Sequence, residues 1–218
     1  MVGRHECVAI DLGTGAGQAV LRRARQNPRE LVIGIDADAA AMADASRKAA
    51  GPTRRGGLSN AIFIAAAAEQ LPGPLMGRVD LITIALPWGS LLRGLLSADR
   101  CLLDGITACL RDGGELVVLL SAAERDAAAN TTLTSDDDAA RLAEGYESAG
   151  LKVVDFRPAD ASDVSRLSSG WGRRMGIPAR RSAWLFRTKP VPLDPLPRVP
   201  CSTHRADARA LPVRETGC

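Results

Sequence analysis

The strongest constraint on the fold is a regular alternation of two kinds of segment along most of the chain. Short apolar runs rich in Val, Ile and Leu alternate with alanine-rich stretches whose apolar residues have helical spacing. Short connections between such segments predict an α/β fold, with a mostly parallel seven-stranded sheet that helices cover on both faces. The predicted strands are 7–12, 31–36, 61–65, 79–86, 115–120, 152–156 and 182–187, and the predicted helices are 17–26, 38–50, those within 90–111, and 136–149.

Size and composition fit one globular domain followed by a tail. The 218 residues are 46% hydrophobic, which is enough to bury a full core, and we assign residues 1–188 to this domain. Residues 189–218 contain six prolines and no apolar periodicity, so we expect a disordered tail.

Two classes of protein are excluded by composition. The chain has no signal-peptide pattern and no apolar run long enough to cross a membrane, so we expect a cytoplasmic protein without a membrane partner. Its five cysteines form no CxxC pair, and only two scattered histidines are present. The sequence therefore predicts no metal site.

A glycine-rich turn, Asp11-Leu-Gly13-Thr-Gly15-Ala-Gly17, follows the first predicted strand. Ligands of open α/β sheets bind at the carboxyl ends of the strands, where glycines such as Gly13 and Gly15 let the backbone approach closely. Asp36 ends the second strand and can hold both hydroxyls of a ribose. The turn favours a nucleoside cofactor, although turns this short also occur merely to pack a helix.

The charge around this turn distinguishes between cofactors. The spacing is GxGxG and not the GxGxxG of dinucleotide sites, and Asp11 would repel a pyrophosphate but attract an ammonium or sulfonium group. Ala68 and Glu69 follow the third strand, where the adenine of a bound nucleoside would lie. An acidic rim of this kind favours S-adenosyl-L-methionine, and the alternative is three carboxylates that merely face water.

The segment LPWGSLLRG, residues 86–94, places a tryptophan directly after the fourth strand. Trp88 would lie on the substrate side of the cofactor, where an aromatic face can stack a flipped-out base. Enzymes that methylate the amino group of adenine carry Asn or Asp two positions before this aromatic, and here that position is Leu86. A ring nitrogen with its own lone pair is therefore the better nucleophile.

A second tryptophan lies in a basic segment, SSGWGRRMGIPARR, residues 168–181. Six basic and no acidic residues occur from Gly170 to Lys189. Trp171 among arginines is what base stacking with phosphate binding requires, and the alternative is a core-edge tryptophan beside a solvated face. Arg54 and Arg55 in PTRRGG extend the same predicted RNA surface.

In this order, DLGTG, IDAD, AAAAEQLP, LPWGSLLRG and SGWGRR resemble the aminoglycoside-resistance 16S ribosomal RNA methyltransferases that modify adenine N1 in the decoding A site, the kanamycin and apramycin resistance type. The resemblance covers about residues 7 to 187. It implies a class I Rossmann-like methyltransferase that acts as a monomer on 16S rRNA within the assembled 30S subunit.

The resemblance also implies roles for individual residues. The contacts to S-adenosylmethionine would be Asp11, Gly13, Asp36, Ala68, Glu69, Ala85 and Ser90. Trp88 and Trp171 would sandwich the flipped adenine, and Ser169 would hold the Trp171 loop. The residues that grip the RNA backbone would be Arg174, Arg180 and Arg181.

Adenine N1 has a free lone pair, so its methylation needs alignment and no general base. This explains why the motifs contain no catalytic His or Cys. Two alternatives stay open at the level of sequence. A small-molecule methyltransferase would use the Trp171 segment as an apolar lid, which its basic residues fit poorly. A non-catalytic RNA-binding relative would not need to keep Asp11, Gly13 and Asp36.

Overall fold

The computed structural model describes residues 5–121, 136–167 and 183–191. All seven predicted strands are present, at β1 (Cys7–Leu12), β2 (Glu30–Asp36), β3 (Ala61–Ala65), β4 (Val79–Ala85), β5 (Leu110–Leu120), β6 (Leu151–Pro158) and β7 (Trp184–Pro190). They form one sheet in the order β3-β2-β1-β4-β5-β7-β6, in which β7 alone runs antiparallel to its neighbours. The predicted, mostly parallel sheet is confirmed.

Six α-helices lie in the described part of the chain, at α1 (Gln18–Gln26), α2 (Ala39–Ala50), α3 (Gly89–Leu96), α4 (Arg100–Cys109), α5 (Asp136–Ser148) and α6 (Ala161–Leu167). Capping carboxylates define two of the starts. Asp38 accepts hydrogen bonds from the backbone N–H groups of Ala40 and Ala41 at the start of α2, and Asp99 accepts one from Leu102 in α4. Across the described ranges, no helix is long and apolar enough to cross a membrane.

Helices cover both faces of the sheet. On one face α3, α4 and α5 bury the largest core cluster, which includes Leu95, Ile106 and Tyr146. On the other face α1 and α2 pack over β2 and β3, and α6 packs over β4, β5 and β7. We name the group of residues that α6 buries the α6 cluster. It consists of Leu86, Val117, Leu119, Ala159, Val164, Ala183 and Leu185, with Leu81 and Leu167 packed against it.

The strand order reverses between β1 and β4. From β1 the chain builds outward through β2 and β3, and it then returns to place β4 on the other side of β1. Crossover connections leave in opposite directions from this point, so a crevice opens between the carboxyl ends of β1 and β4. The glycine-rich turn follows β1, and Trp88 follows β4. The topology therefore brings the two motifs to one edge.

Three details differ from the sequence-based expectations. A helix, α6, lies between the predicted strands 152–156 and 182–187, where we predicted no helix. β5 begins at Leu110, because a register shift around Gly113 (φ 74°) lets Leu110 pair with Val79 before the regular ladder starts. β7 continues to Pro190, where it pairs with Leu151, three residues past the predicted end of this strand at 187.

Candidate cofactor and nucleic-acid site

The glycine-rich turn combines packing with open space. Gly13, Gly15 and Gly17 all have positive φ, at 74°, 53° and 67°, which favours glycine at each position. A β-carbon on Gly17 would lie 2.5 Å from the Phe63 ring, so this glycine serves helix packing. A β-carbon on Gly15 would have no atom within 4 Å. The turn thus leaves room for a ligand beside Gly15, which helix packing alone does not require.

Asp36 is held against this turn by backbone donors. Its carboxylate accepts the Gly15 N–H at 2.7 Å on one oxygen and the Asp38 N–H at 2.9 Å on the other. Each oxygen keeps a further lone pair, so the group can still accept two hydroxyl hydrogens. The side chain is partly buried at the end of β2. Its orientation is therefore fixed before any ligand binds.

Asp11 is buried at the end of β1. Its carboxylate accepts hydrogen bonds from the Thr14 hydroxyl at 2.7 Å and from the Thr83 hydroxyl at 3.3 Å. Burial raises the pKa of Asp11 to about 6, although both hydroxyls act in the opposite direction. A cation beside this carboxylate would favour its ionised form.

The two threonines were not among the predicted site residues. Thr14 lies within the DLGTG motif itself, where a hydroxyl three residues after the aspartate was the available signal. Thr83 is a polar residue inside the apolar run of β4, and β4 pairs with β1 so that Thr83 lies opposite Asp11. Only the strand order, which the sequence does not state, reveals the second contact.

A cavity of about 180 Å³ lies beside Asp11 between α1 and α6. Asp11 and Thr83 line it near the carboxyl ends of their strands, and Arg22, Arg23 and Arg166 are also in its wall. Of the predicted cofactor residues, Asp11 alone lines this cavity. The other predicted contacts lie around the open carboxyl edge of the sheet.

The remaining predicted cofactor residues follow the neighbouring strands. The backbone after β3 is tied to β2, because the Ala66 N–H donates to the Asp36 carbonyl at 3.0 Å. Ala68 beyond it is partly buried, and Glu69 is exposed. Ala85 ends β4, and Ser90 is exposed in the first turn of α3. These positions lie at or after the carboxyl ends of β3 and β4, on the edge where the strand order opens the crevice.

Trp88 projects from this edge into solvent. Its exposed fraction is 84%, and it occupies the N-cap position of α3. Trp184 behaves differently, because its ring stacks on Phe156 with the ring centroids 5.0 Å apart. Trp88 is therefore not a core cap, and an exposed indole of this kind is an available stacking surface.

The predicted RNA-binding residues divide into two groups. Arg54 and Arg55 are exposed on a short 3-10 helix, Thr53–Arg55, between the end of α2 and the start of β3. This position is at the amino edge of the sheet, opposite the edge that carries Trp88. The other predicted residues lie outside the described ranges: Ser169, Trp171, Arg174, Arg180 and Arg181.

Comparison with known proteins gives the family of this chain. Residues 1–189 match the family model NpmA, described as 16S rRNA (adenine(1408)-N(1))-methyltransferase. A protein of that name from Streptoalloteichus tenebrarius is 37% identical over 177 residues, which are 79% of this chain and 81% of that protein. One from Escherichia coli is 31% identical over 189 residues, 84% of this chain and 86% of that protein.

Solved structures give the same relationship. The aminoglycoside resistance methyltransferase NpmB1 matches with a TM-score of 0.76 and 34% identity, over 87% of this chain and 90% of that chain. A tryptophan-to-alanine mutant of the 16S rRNA (adenine(1408)-N(1))-methyltransferase from Catenulisporales acidiphilia, solved with the cosubstrate SAM, matches with a TM-score of 0.80 and 27% identity, over 89% and 91%.

Together, the reversed strand order, the glycine turn and these likenesses define a class I S-adenosylmethionine-dependent methyltransferase. Within this class, the chain belongs to the NpmA family of 16S rRNA (adenine(1408)-N(1))-methyltransferases. The predicted fold, cofactor and family are confirmed.

Proposed function

We propose that this protein methylates N1 of adenine 1408 of 16S rRNA in the assembled 30S subunit, as a cytoplasmic monomer, and thereby gives aminoglycoside resistance. Membership of the family supports the reaction and the RNA substrate. The observation that carries the assignment in this chain is Trp88, a tryptophan with 84% exposure at the carboxyl edge of β4. In a site for a small molecule, an aromatic side chain that contacts the substrate would already be enclosed by the protein. An exposed tryptophan is instead covered when a macromolecular substrate binds.

The residues at the carboxyl edge fit S-adenosylmethionine, which supplies an activated methyl group when bound. Asp36, already oriented by two backbone N–H groups, would accept the two ribose hydroxyls. Asp11 would attract the ammonium group, and the backbone at Gly13 and Gly15 would lie against the cofactor. The remaining contacts would come from Ala68, Glu69, Ala85 and Ser90.

When adenine N1 is the nucleophile, the protein has to align the reacting atoms and does not have to supply a catalytic base. Adenine N1 has a lone pair and no proton to lose, so no side chain has to act as a base. Trp88 would stack the extruded base and hold N1 in line for attack, which is where alignment raises the rate. The indole face also favours the positive charge that develops on the methylated ring.

RNA binding would extend beyond this edge. Trp171 would form the second wall against the base, and Ser169 would hold its loop. Phosphates would be bound by the basic residues Arg54, Arg55, Arg174, Arg180 and Arg181. Arg54 and Arg55 are at the amino edge of the sheet, so a substrate that reaches them and Trp88 must be large. A folded ribosomal surface satisfies this requirement better than a short RNA.

Primer extension on 16S rRNA tests the proposal. Purified protein is incubated with 30S subunits and S-adenosylmethionine, and reverse transcription should then stop just before adenine 1408, because an N1-methyl group blocks base pairing. Parallel reactions omit the cofactor, replace the 30S subunits by 16S rRNA without ribosomal proteins, or replace the wild-type protein by the Asp36→Ala variant. The first two controls should lack the stop, and Asp36→Ala should give a weaker stop when the cofactor concentration is near the wild-type Kd. The proposal is wrong if the wild-type protein binds S-adenosylmethionine and 30S subunits but leaves this nucleotide unmodified.

A further inference from the structure

The backbone between β4 and Trp88 has an unusual conformation at Leu86. Among described residues other than glycine, only Leu86 and Ala98 have positive φ, and Leu86 is at 53°. A leucine rarely adopts this left-handed conformation, because its β-carbon crowds the backbone. Strained residues of this kind persist only where their surroundings hold them, and they concentrate at functional sites. Leu86 is two residues before the exposed indole.

Two contacts hold Leu86 in place. Its N–H donates to the carbonyl of Leu119 at 2.8 Å, which continues the pairing of β4 with β5 by one bond. The residue is only 6% exposed, and its side chain belongs to the α6 cluster, with Val164 of α6 and Leu185 of β7. The backbone thus turns sharply at Leu86, whose side chain is buried under α6.

The position of α6 over Leu86 is fixed by a buried carboxylate. Asp163 is 1% exposed and accepts hydrogen bonds from Arg157 at 2.7 and 3.1 Å, from Arg166 at 3.0 Å and from the Asp160 N–H at 3.1 Å. Because a seven-residue helix is too short to be stable alone, these bonds and the α6 cluster determine where it lies. Arg157 belongs to β6, so the helix is tied to the sheet.

We propose that Leu86 is a positioning residue for methyl transfer: its side chain, buried beneath α6, holds the left-handed turn that projects Trp88 from the sheet. This inference rests on the proposed stacking role of Trp88. Pro87 follows with a fixed φ, so the conformation of Leu86 governs the direction in which the chain leaves β4. The side chain at position 86 acts through the indole and does not contact the substrate.

Replacing the side chain while relieving the strain tests this role. Leu86→Gly removes the anchor but favours positive φ, so the protein should fold and bind S-adenosylmethionine with unchanged affinity. The rate of 30S methylation at saturating subunits and cofactor should fall about tenfold, because a misplaced stacking surface spoils alignment. Leu86→Met refills the cluster and should restore most of the rate. The matched control is Leu75→Gly, which removes a buried leucine at the amino edge of the sheet and should leave this rate unchanged.

A double-mutant cycle separates positioning from general damage. If Leu86 acts through Trp88, Leu86→Gly should cause almost no further loss in a Trp88→Ala background. If Leu86→Gly merely damages the fold, its fold-loss in rate and that of Trp88→Ala should instead multiply in the double variant. Val164→Ala loosens the same cluster from α6 and should reproduce the pattern with a smaller loss if Leu86→Gly does not fold. Its control is Val79→Ala, at the amino end of β4.

A spectroscopic measurement reports on the indole directly. The chain has three tryptophans, so fluorine NMR of protein labelled with 5-fluorotryptophan should give a Trp88 resonance that Trp88→Phe identifies. Leu86→Gly should shift and narrow this resonance and leave that of Trp184 unchanged. If Trp88→Ala methylates normally, the stacking role itself is wrong. If Trp88→Ala is impaired but Leu86→Gly changes neither rate nor resonance, only the present inference is overturned.

Discussion

Two neighbouring parts of one sheet edge are stabilised in different ways. On the glycine-turn side, Asp11 and Asp36 accept 2.7 Å hydrogen bonds from Thr14 and Gly15 of the turn. On the β4 side, Trp88 extends into solvent from a strained backbone that is anchored from below. The first region has its shape before any ligand binds, whereas the second is an exposed surface that a large substrate would complete. This contrast predicts that changes on the two sides affect different measurements.

The largest effect is expected at Trp88. Trp88→Ala removes an exposed ring and little core, so its melting temperature and its affinity for S-adenosylmethionine should stay near wild type. Methylation of 30S subunits should fall about 100-fold, because stacking energy and alignment are lost together. Trp88→Phe keeps a smaller stacking face and should recover part of the rate. A thermal melt beside a single-turnover methylation assay gives both values.

The opposite result at Trp88, a loss of stability without a loss of activity, would contradict the contrast between the two sides of the edge. A Trp88→Ala protein that melts much lower, but whose folded fraction methylates normally, would make Trp88 a structural residue. Trp171→Ala should resemble Trp88→Ala, and the double variant should lose less than the two single losses combined, because both walls serve one base.

A second effect is expected on the cofactor side. Asp36→Ala removes a charged acceptor and should weaken S-adenosylmethionine binding by about 1 to 3 kcal/mol, the range for a lost charge-assisted hydrogen bond. The melting temperature should change little, because this carboxylate is only partly buried. Calorimetry measures the affinity, and Asp44→Ala on the exposed part of α2 is the matched control. Tight binding of NADH without binding of S-adenosylmethionine would contradict the cofactor assignment in this chain.

A third effect depends on pH and on Asp11. Burial raises the pKa of this carboxyl to about 6, so it is ionised above pH 6 and becomes neutral as the pH falls through that value. Its attraction for the ammonium of S-adenosylmethionine should therefore be present at pH 7 and weaken by about tenfold at pH 5. Asp11→Asn should bind weakly at both values. Calorimetry between pH 5 and 7 checks this, and an equally steep pH dependence in Asp11→Asn would assign the effect to another group.

The sequence predicts where Asp11, Asp36 and the glycine turn lie in the fold, and it predicts the backbone of the β4 side only in part. Asp11 and Asp36 could be recognised because strand periodicity and a glycine turn are local patterns, and the ends of parallel strands share an edge. Trp88 could be recognised for the same reason. The conformation of Leu86 could not, because it depends on α6, whose seven residues carry no clear apolar period. A capping signal was present, since Asp160 accepts hydrogen bonds from the N–H groups of Ser162 and Asp163.

The placement of Arg54 and Arg55 shows a similar limit. Their basic character was evident from the sequence, and a helix that leaves the carboxyl end of one strand must end near the amino end of the next. This rule puts them at the amino edge, because the structure has them between the end of α2 and the start of β3. They are therefore separated from Trp88 by the length of a strand. Changes at these two arginines test how far the RNA surface extends.

The smallest expected effect is at these two arginines. Arg54→Glu and Arg55→Glu should leave S-adenosylmethionine affinity unchanged, because the cofactor lies at the opposite edge, and should weaken 30S binding modestly. Each should reduce the salt dependence of binding by about one unit of slope, as expected for one lost phosphate contact. The control is Lys152→Glu on β6, at the other end of the sheet order, which makes the same change in net charge. An equal loss in the control would indicate a general effect of charge. Unchanged binding and slope in both arginine variants would instead confine the RNA surface to the edge that carries Trp88.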